Sequence, residues 1–234
     1  MRMQYRHELK YKINAGVYAI LKGRLDAVLQ KDANTEDGIY RVTSLYFDNI
    51  YDTAYRDKMS GAMNRKKFRI RTYNLNPEKI RLEEKIKDDN VGYKKNAWLT
   101  YDEYHSIISG DYDFMTEERF SDTSAEDFFT SVCASGLKPS VIVDYMREPY
   151  ICNAGNVRVT LDSRLSVCYN TFDMFDKNAL FYPVWNTGDA VLEVKYDGFL
   201  PLYIKEVLSG LPIMQESVSK FMLCKDKAQA MHGM

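Results

Sequence analysis

The sequence predicts a mainly β (α+β) fold in which eight strands close into a sheet around a charged lumen, with helices at its periphery. Three observations carry that expectation. Between Arg65 and Lys87 charge falls on every second residue: Arg65, Lys67, Arg69 and Arg71, then Arg81, Glu83, Lys85 and Lys87. Residues two apart on a strand share a face, so each run aims its charges one way, while Phe68, Ile70, Leu82 and Ile86 need burial on the other. The same alternation recurs in Arg6, Glu8, Lys10 and Lys12, in Arg158, Thr160 and Asp162, and in Glu193 and Lys195. Cations with a few carboxylates on one face of several strands suit a lumen that holds a polyanion.

In chain order, strands are expected over residues 4–13, 39–48, 65–74, 79–88, 92–99, 139–148, 156–168 and 189–197, each alternating or rich in Val, Ile, Tyr and Phe. A helix over 15–30 follows from Val17, Ile20, Leu21, Leu25, Val28 and Leu29 at helical spacing, and others are expected over 101–109, 124–135, 201–209 and 216–230. Asn74, Asn76 and Pro77 supply one turn, and Asp88, Asp89, Asn90 and Gly92 the next, so residues 65–99 read as an antiparallel meander. Residues 170–188 show no assignable periodicity.

The 234 residues, 45% hydrophobic, suffice for one large domain, and the chain reads as a single domain over residues 1–234. A net charge of −1 speaks against nucleic-acid binding through an overall positive field, and no base-reading motif stands out. The charge is segregated instead: basic residues crowd 65–95 and acids crowd 111–127. Four cysteines without CxxC spacing and an N-terminus without an apolar stretch point to a reducing, cytoplasmic protein. With no apolar run of about 18 residues or more, no membrane span is expected. His7, His105 and His232 fall at a strand start, in a polar helix and at the tail, so no Ser-His-Asp or Cys-His nucleophile is expected.

On RHELKYKI (6–13), TSLYFDN (43–49), KFRIRTYN (67–74), LEEKIK (82–87), YMREPY (145–150), VRVTLDSRL (157–165), AVLEVKY (190–196) and SVSKF (217–221), the chain resembles a VTC-type member of the CYTH, or triphosphate tunnel metalloenzyme, superfamily. It is most similar to the polyphosphate-polymerising catalytic domain of the vacuolar transporter chaperone complex, and the eight stretches stand in family order. The resemblance implies an eight-stranded antiparallel β-barrel tunnel whose basic interior binds triphosphate, ATP or polyphosphate, with Mn²⁺ or Mg²⁺ held by glutamate. By resemblance, Lys10, Arg69, Arg71, Lys85, Arg147, Arg158, Lys195 and Lys220 are the substrate-binding cations, and either Lys94 or Lys95 is one more. It also implies Lys85, Arg147, Lys195 and Glu193 as the catalytic set and Glu193 with Glu8 as metal ligands. The ExExK opening of the wider superfamily is here Arg6, Glu8 and Lys10, which leaves fewer carboxylates for two metals and favours the VTC branch.

The implied activity is that of a polyphosphate polymerase-like phosphotransferase using a nucleoside triphosphate. A metal-dependent tripolyphosphatase or nucleoside triphosphatase, and a non-catalytic polyphosphate-binding module, are the alternatives, because all need the same cations. Phosphoryl transfer spreads charge over oxygens, so positioning and electrostatics carry the catalysis. Arginine supplies a planar fork for two phosphate oxygens and lysine a compact point charge. Glu83 shares parity with Arg81 and Lys85 and is expected to balance charge on the inner face; Glu84 falls on the outer one.

Overall fold

The computed structural model describes residues 6–33, 35, 37–88, 91–185 and 187–232. In chain order these form β1 (Arg6–Ile13), α1 (Ala15–Val28), β2 (Gln30–Lys31), β3 (Tyr40–Asp48), α2 (Thr53–Met59), β4 (Arg65–Tyr73), β5 (Ile80–Asp88), β6 (Val91–Leu99), α3 (Tyr101–Ser109), α4 (Ser124–Ser135), β7 (Lys138–Cys152), β8 (Val157–Cys168), β9 (Phe181–Pro183), β10 (Ala190–Asp197), α5 (Leu202–Leu208) and α6 (Lys220–His232). Every expected strand and helix is present, and α2, β2 and β9 are additions. Residues 4–5 of the first expected strand, Asp89 and Asn90 of the second turn, and Asn186 of the unassigned segment lie outside the described residues. The class is the predicted one: an antiparallel sheet with peripheral helices, in strand order β1-β10-β8-β7-β3-β4-β5-β6, with β2 on β7 and β9 on β8. Contacts group the chain into two compact units.

The first unit gathers the chain up to Arg41, Tyr145–Ser166 and Pro183–Lys220. Its strands register so that Lys10, Glu193 and Thr160 form one cross-strand row and Glu8, Lys195 and Arg158 the next. The intervening row, Leu9, Val194 and Val159, and that of Tyr11, Leu192 and Leu161, turn to the opposite face. That apolar face belongs to a core with Val17, Leu21 and Leu25 of α1 and Ile204 and Val207 of α5. The helix starts where Asn14 accepts the Val17 N–H at 3.0 Å, and its three core residues recur every fourth position. Leu21 and Leu25 are fully buried, so truncation of either to alanine would cost about 2–5 kcal/mol. A buried ion cluster pins the same helix: the Glu148 carboxylate accepts from Tyr18 and Lys22 and lies 3.8 Å from Lys31. A carboxylate 1% exposed is tolerable only when paired in this way.

The second unit comprises Val42–Asp144, Val167–Tyr182 and the chain from Phe221 on. Here the rows Ser44, Arg71, Arg81, Trp98 and Tyr46, Arg69, Glu83, Asn96 alternate with the row Leu45, Ile70, Leu82, Ala97. The apolar row packs with Phe128 of α4 and with Tyr104 and Ile107 of α3. A capping box starts α3, with Thr100 accepting from Glu103 N–H at 3.2 Å and Glu103 accepting from Thr100 N–H at 2.8 Å. Gly110 ends it at φ 85°, a left-handed cap that glycine takes without a Cβ clash. The unexpected α2 has no buried residue and forms because the Asp48 carboxylate accepts the Ala54 and Tyr55 N–H groups at 2.9 and 3.2 Å. Residues 170–180 lack periodicity for a similar reason. Side-chain oxygens of Asn170, Asp173 and Asp176 accept from Leu180, Phe175 and Asn178 N–H, and the Tyr104 hydroxyl accepts from Met174 N–H. No described helix is long and apolar enough to cross a membrane.

Glu84 stands on the apolar side of β5, as its parity predicts, and is 2% exposed. Burial, followed by the neighbouring Asp127 carboxyl, pushes its pKa up to about 7. A raised carboxyl pKa means that the folded state binds the proton more tightly than the unfolded chain. The stabilisation is full below the ordinary value near 4.5 and is lost as pH rises through about 7. Glu84→Gln should therefore melt above wild type at pH 8, with the gap closing toward pH 4.5. Thermal melts of both proteins across that range check it; a variant less stable at pH 8 would show Glu84 to be a net stabilising anion.

Candidate functional site

On the second unit, strand alternation gathers Lys67, Arg69 and Arg71 of β4, Arg81 and Lys85 of β5 and Lys94 of β6 on one face. The registers Lys67↔Lys85, Lys85↔Lys94 and Arg71↔Arg81 place cation opposite cation. Like charges directly opposite one another are destabilising, so a counter-charge is required. Glu83, 5% exposed, supplies it. Its Oε2 accepts from Arg69 Nε at 2.7 Å and lies 3.8 Å from Arg71, and its Oε1 lies 4.0 Å from Arg81. Burial opposes the negative charge, yet Arg69 and Arg71 prevail and hold the carboxyl down at about 2. Arg69 also donates to the Tyr46 hydroxyl at 2.9 Å and Arg71 to Ser44 Oγ at 3.0 Å, so both forks are fixed before any ligand arrives.

On the first unit the charges are nearly balanced. Asp162, fully buried, accepts a bidentate pair from Arg147 at 2.6 and 2.7 Å and an ion pair from Lys220 at 2.6 Å. Burial penalises all three ions, and their mutual attraction outweighs it: Asp162 is lowered, while Lys220 and Arg147 are raised. Tyr145 underlies this group, its ring 5.0 Å from Lys220 and 5.3 Å from Arg147. Arg147 also reaches Glu193 at 3.5 Å. Lys195 lies 2.8 Å from Glu193 and 3.5 Å from Glu8; Lys10 lies 4.0 and 3.3 Å from the same two. Burial again opposes the charge on Glu193, but contact with Glu8 and the fields of Lys195, Lys220 and Lys10 keep it well below the usual carboxylate range. Arg158 pairs with Asp32 at 3.1 Å and donates to Tyr40 at 3.2 Å.

Glu193 and Glu8 are neighbouring carboxylates that Lys10 and Lys195 bridge. Oxygen donors of this kind suit Mg²⁺ or Mn²⁺, which take one or two carboxylates and complete their shell with phosphate oxygens and water. No group of three or more His, Cys, Asp or Glu side chains poised for a metal exists among the described residues, so a dedicated protein cage is not offered. Thr160 Oγ1, in the same cross-strand row as Glu193, is buried with no hydrogen-bond partner among the described residues. The residues present therefore fit a hard divalent ion that arrives with a phosphate ligand.

The expected site residues fall on these two faces with one exception. Lys10, Glu8, Arg147, Arg158, Glu193, Lys195 and Lys220 belong to the first unit, and Arg69, Arg71, Lys85 and Lys94 to the second. Lys95 is the correction. Alternation turns it to the other side of β6, where Asp127 and Asp122 hold it at 2.7 and 3.3 Å and raise its pKa, so Lys94 takes the place left open between them. Sequence reasoning gave no role to Asp162 or Lys67. Parity put both on the charged faces, but Asp162 acquires its role from Lys220, far along the chain.

A model of the VTC domain family matches residues 5–227. No curated protein matches the sequence. Among solved structures, a Hippeastrum protein described as a candidate adenylyl cyclase with a dominant triphosphatase activity is similar over 96% of either chain at 14% identity, with a TM-score of 0.56. A candidate adenylate cyclase from Bacillus halodurans is similar over 91% of this chain and 92% of its own, at 13% identity and a TM-score of 0.55. At such identities the likeness is one of fold.

Lys67 gives the cationic face a pH dependence. Burial, then Lys58 and Arg65, push its pKa down to about 7 against the pull of Asp48, with Lys85 a smaller push downward. At pH 8 the unliganded side chain is mostly neutral, and a polyanion bound beside it would favour the ammonium form. Tripolyphosphate binding should thus take up a proton at pH 8 and tighten as pH falls toward 6. Calorimetry in buffers of different ionisation heat measures the uptake, and Lys67→Met should abolish its share; uptake unchanged in the variant would assign the proton to the ligand.

Proposed function

The chain belongs to the VTC domain family, and on that premise we propose that it is a metal-dependent, polyphosphate polymerase-like phosphotransferase that uses a nucleoside triphosphate. The observation that carries this reading is the second unit's face, where strand register sets Lys67, Arg69, Arg71, Arg81, Lys85 and Lys94 side by side around the buried carboxylate Glu83. Cations set side by side in this way by the fold complement the closely spaced charges of a polyphosphate. Arg69 and Arg71 would grip phosphate oxygens with preset forks, and Lys85 would meet charge developing on the transferred phosphoryl group. Glu193, with Glu8, would hold Mn²⁺ or Mg²⁺, which neutralises charge on the phosphates when bound. Arg147 and Lys195 would orient and neutralise beside Glu193, with Lys10, Arg158 and Lys220 as further phosphate contacts. No covalent protein intermediate is needed, since transfer runs directly to a phosphate acceptor.

Incubation with ATP and Mn²⁺, resolved on a polyacrylamide gel, should yield a ladder of long polyphosphate. Free phosphate alone would make the protein a triphosphatase, and no turnover would make it a binding module. Glu193→Gln should keep the fold and its metal-free tripolyphosphate affinity while losing about a hundredfold or more in metal-dependent turnover. Full turnover in that variant would remove Glu193 from the mechanism. Arg71→Ala removes charge-assisted hydrogen bonds worth roughly 1.5–3 kcal/mol each, so calorimetric tripolyphosphate affinity should drop at least about tenfold. Unchanged affinity there would defeat the anion-face reading.

A further inference from the structure

An exposed tryptophan stands where the cationic face of the second unit ends. On β6, Ala97 and Leu99 are each 5% exposed on the apolar side, so Trp98 projects to the other side with Lys94, and it is 57% exposed. Its register partner Arg81 lays the guanidinium over the indole at 4.3 Å from the ring centroid, and Arg81 in turn pairs with Arg71. β6 is the last strand in the hydrogen-bonded order, so the flank of Trp98 away from Arg81 meets no further strand. One row therefore runs from a phosphate-type fork, through a second guanidinium, to a rigid aromatic plane with an uncovered face. Strands β4 and β6 are two spacings apart, about 9–10 Å, comparable with the reach from the polyphosphate of an extended nucleotide to its base.

We propose that Trp98, held by Arg81, is a stacking platform for the base of a nucleoside triphosphate whose phosphates lie on the neighbouring cations. The inference rests on the nucleoside-triphosphate reading above and assigns the side chain that would recognise the base. An indole plane recognises the π-face of any base and favours the larger purines, so ATP and GTP should bind alike and better than CTP or UTP. A purely structural Trp98 would be a cation–π partner for the Arg81 side chain, indifferent to what the ligand carries beyond its phosphates.

Calorimetry with ATP and with inorganic tripolyphosphate on wild type, Trp98→Ala and Trp98→Phe separates the two. The platform predicts that Trp98→Ala weakens ATP by at least about fivefold and leaves tripolyphosphate unchanged, with Trp98→Phe retaining most of the ATP affinity. ATP, but not tripolyphosphate, should quench indole fluorescence, and the quench should survive Trp185→Phe and vanish in Trp98→Ala. Equal losses for both ligands, or no loss for ATP, would overturn the platform. Wild type that binds tripolyphosphate but gains nothing from a base would sink the platform while leaving the anion face intact. Failure of wild type to bind either ligand would sink both.

Discussion

Repulsion between like charges on neighbouring strands is the constraint under which this protein is built. Alternation sends every second side chain of a strand to one face, and adjacent strands stand about 4.8 Å apart. Writing cations at those positions in consecutive strands thus stacks them side by side, as at Lys67, Lys85 and Lys94. Such rows are stable only where carboxylates are interleaved, and Glu83, Asp162 and Glu193 are interleaved and buried in this way. Removing one partner of a buried pair typically costs about 3–5 kcal/mol, so these carboxylates hold the cations in place as firmly as any apolar contact holds the opposite face.

The two units meet that constraint differently. In the first, Asp162 takes Arg147 and Lys220 while Glu193 and Glu8 take Lys10 and Lys195, and the charges come close to cancelling. In the second, Glu83 is shared by Arg69, Arg71 and Arg81, and Lys67, Lys85 and Lys94 stand in register beside them. The depressed pKa of Lys67 follows first from burial and then from its neighbours Lys58 and Arg65, which make another positive charge unwelcome. A row of neighbouring cations favours an anion beside it, whereas interleaved carboxylates hold their cations in fixed positions.

How far this was legible in the residues depended on range. The eight strands and the parity of their charges could be read because a period of two is written locally, in runs such as Arg65 to Arg71. Helix α2 could not, since its first N–H groups are satisfied by Asn49 and by Asp48 of β3 rather than by the side chain of its N-cap residue Asp52. The choice between Lys94 and Lys95 turned on the acidic stretch near Asp122 and Asp127, visible in the sequence only as segregated charge. Asp162 was placed on the correct face by parity alone, but its partner Lys220 opens α6, and no local pattern links the two. Local periodicity therefore identified the faces, while tertiary contact decided which members of a face act together.

The kind of cation around each carboxylate also distinguishes a structural anion from an exchangeable one. Glu83 is engaged by arginines, whose planar, always-charged forks are themselves anchored by Tyr46 and Ser44, so its oxygens are committed. Asp162 is likewise committed, by a bidentate arginine in full burial. Glu193 and Glu8 are instead bridged chiefly by Lys10 and Lys195, whose side chains are a quarter to a third exposed. An ammonium on a flexible, partly solvated stem can swing away when a divalent ion competes for the same oxygens, and it can then turn to a phosphate delivered with that ion. On the proposed reading, Glu193 with its neighbour Glu8 would therefore exchange a lysine for a metal, while Glu83 and Asp162 stay committed to their arginines.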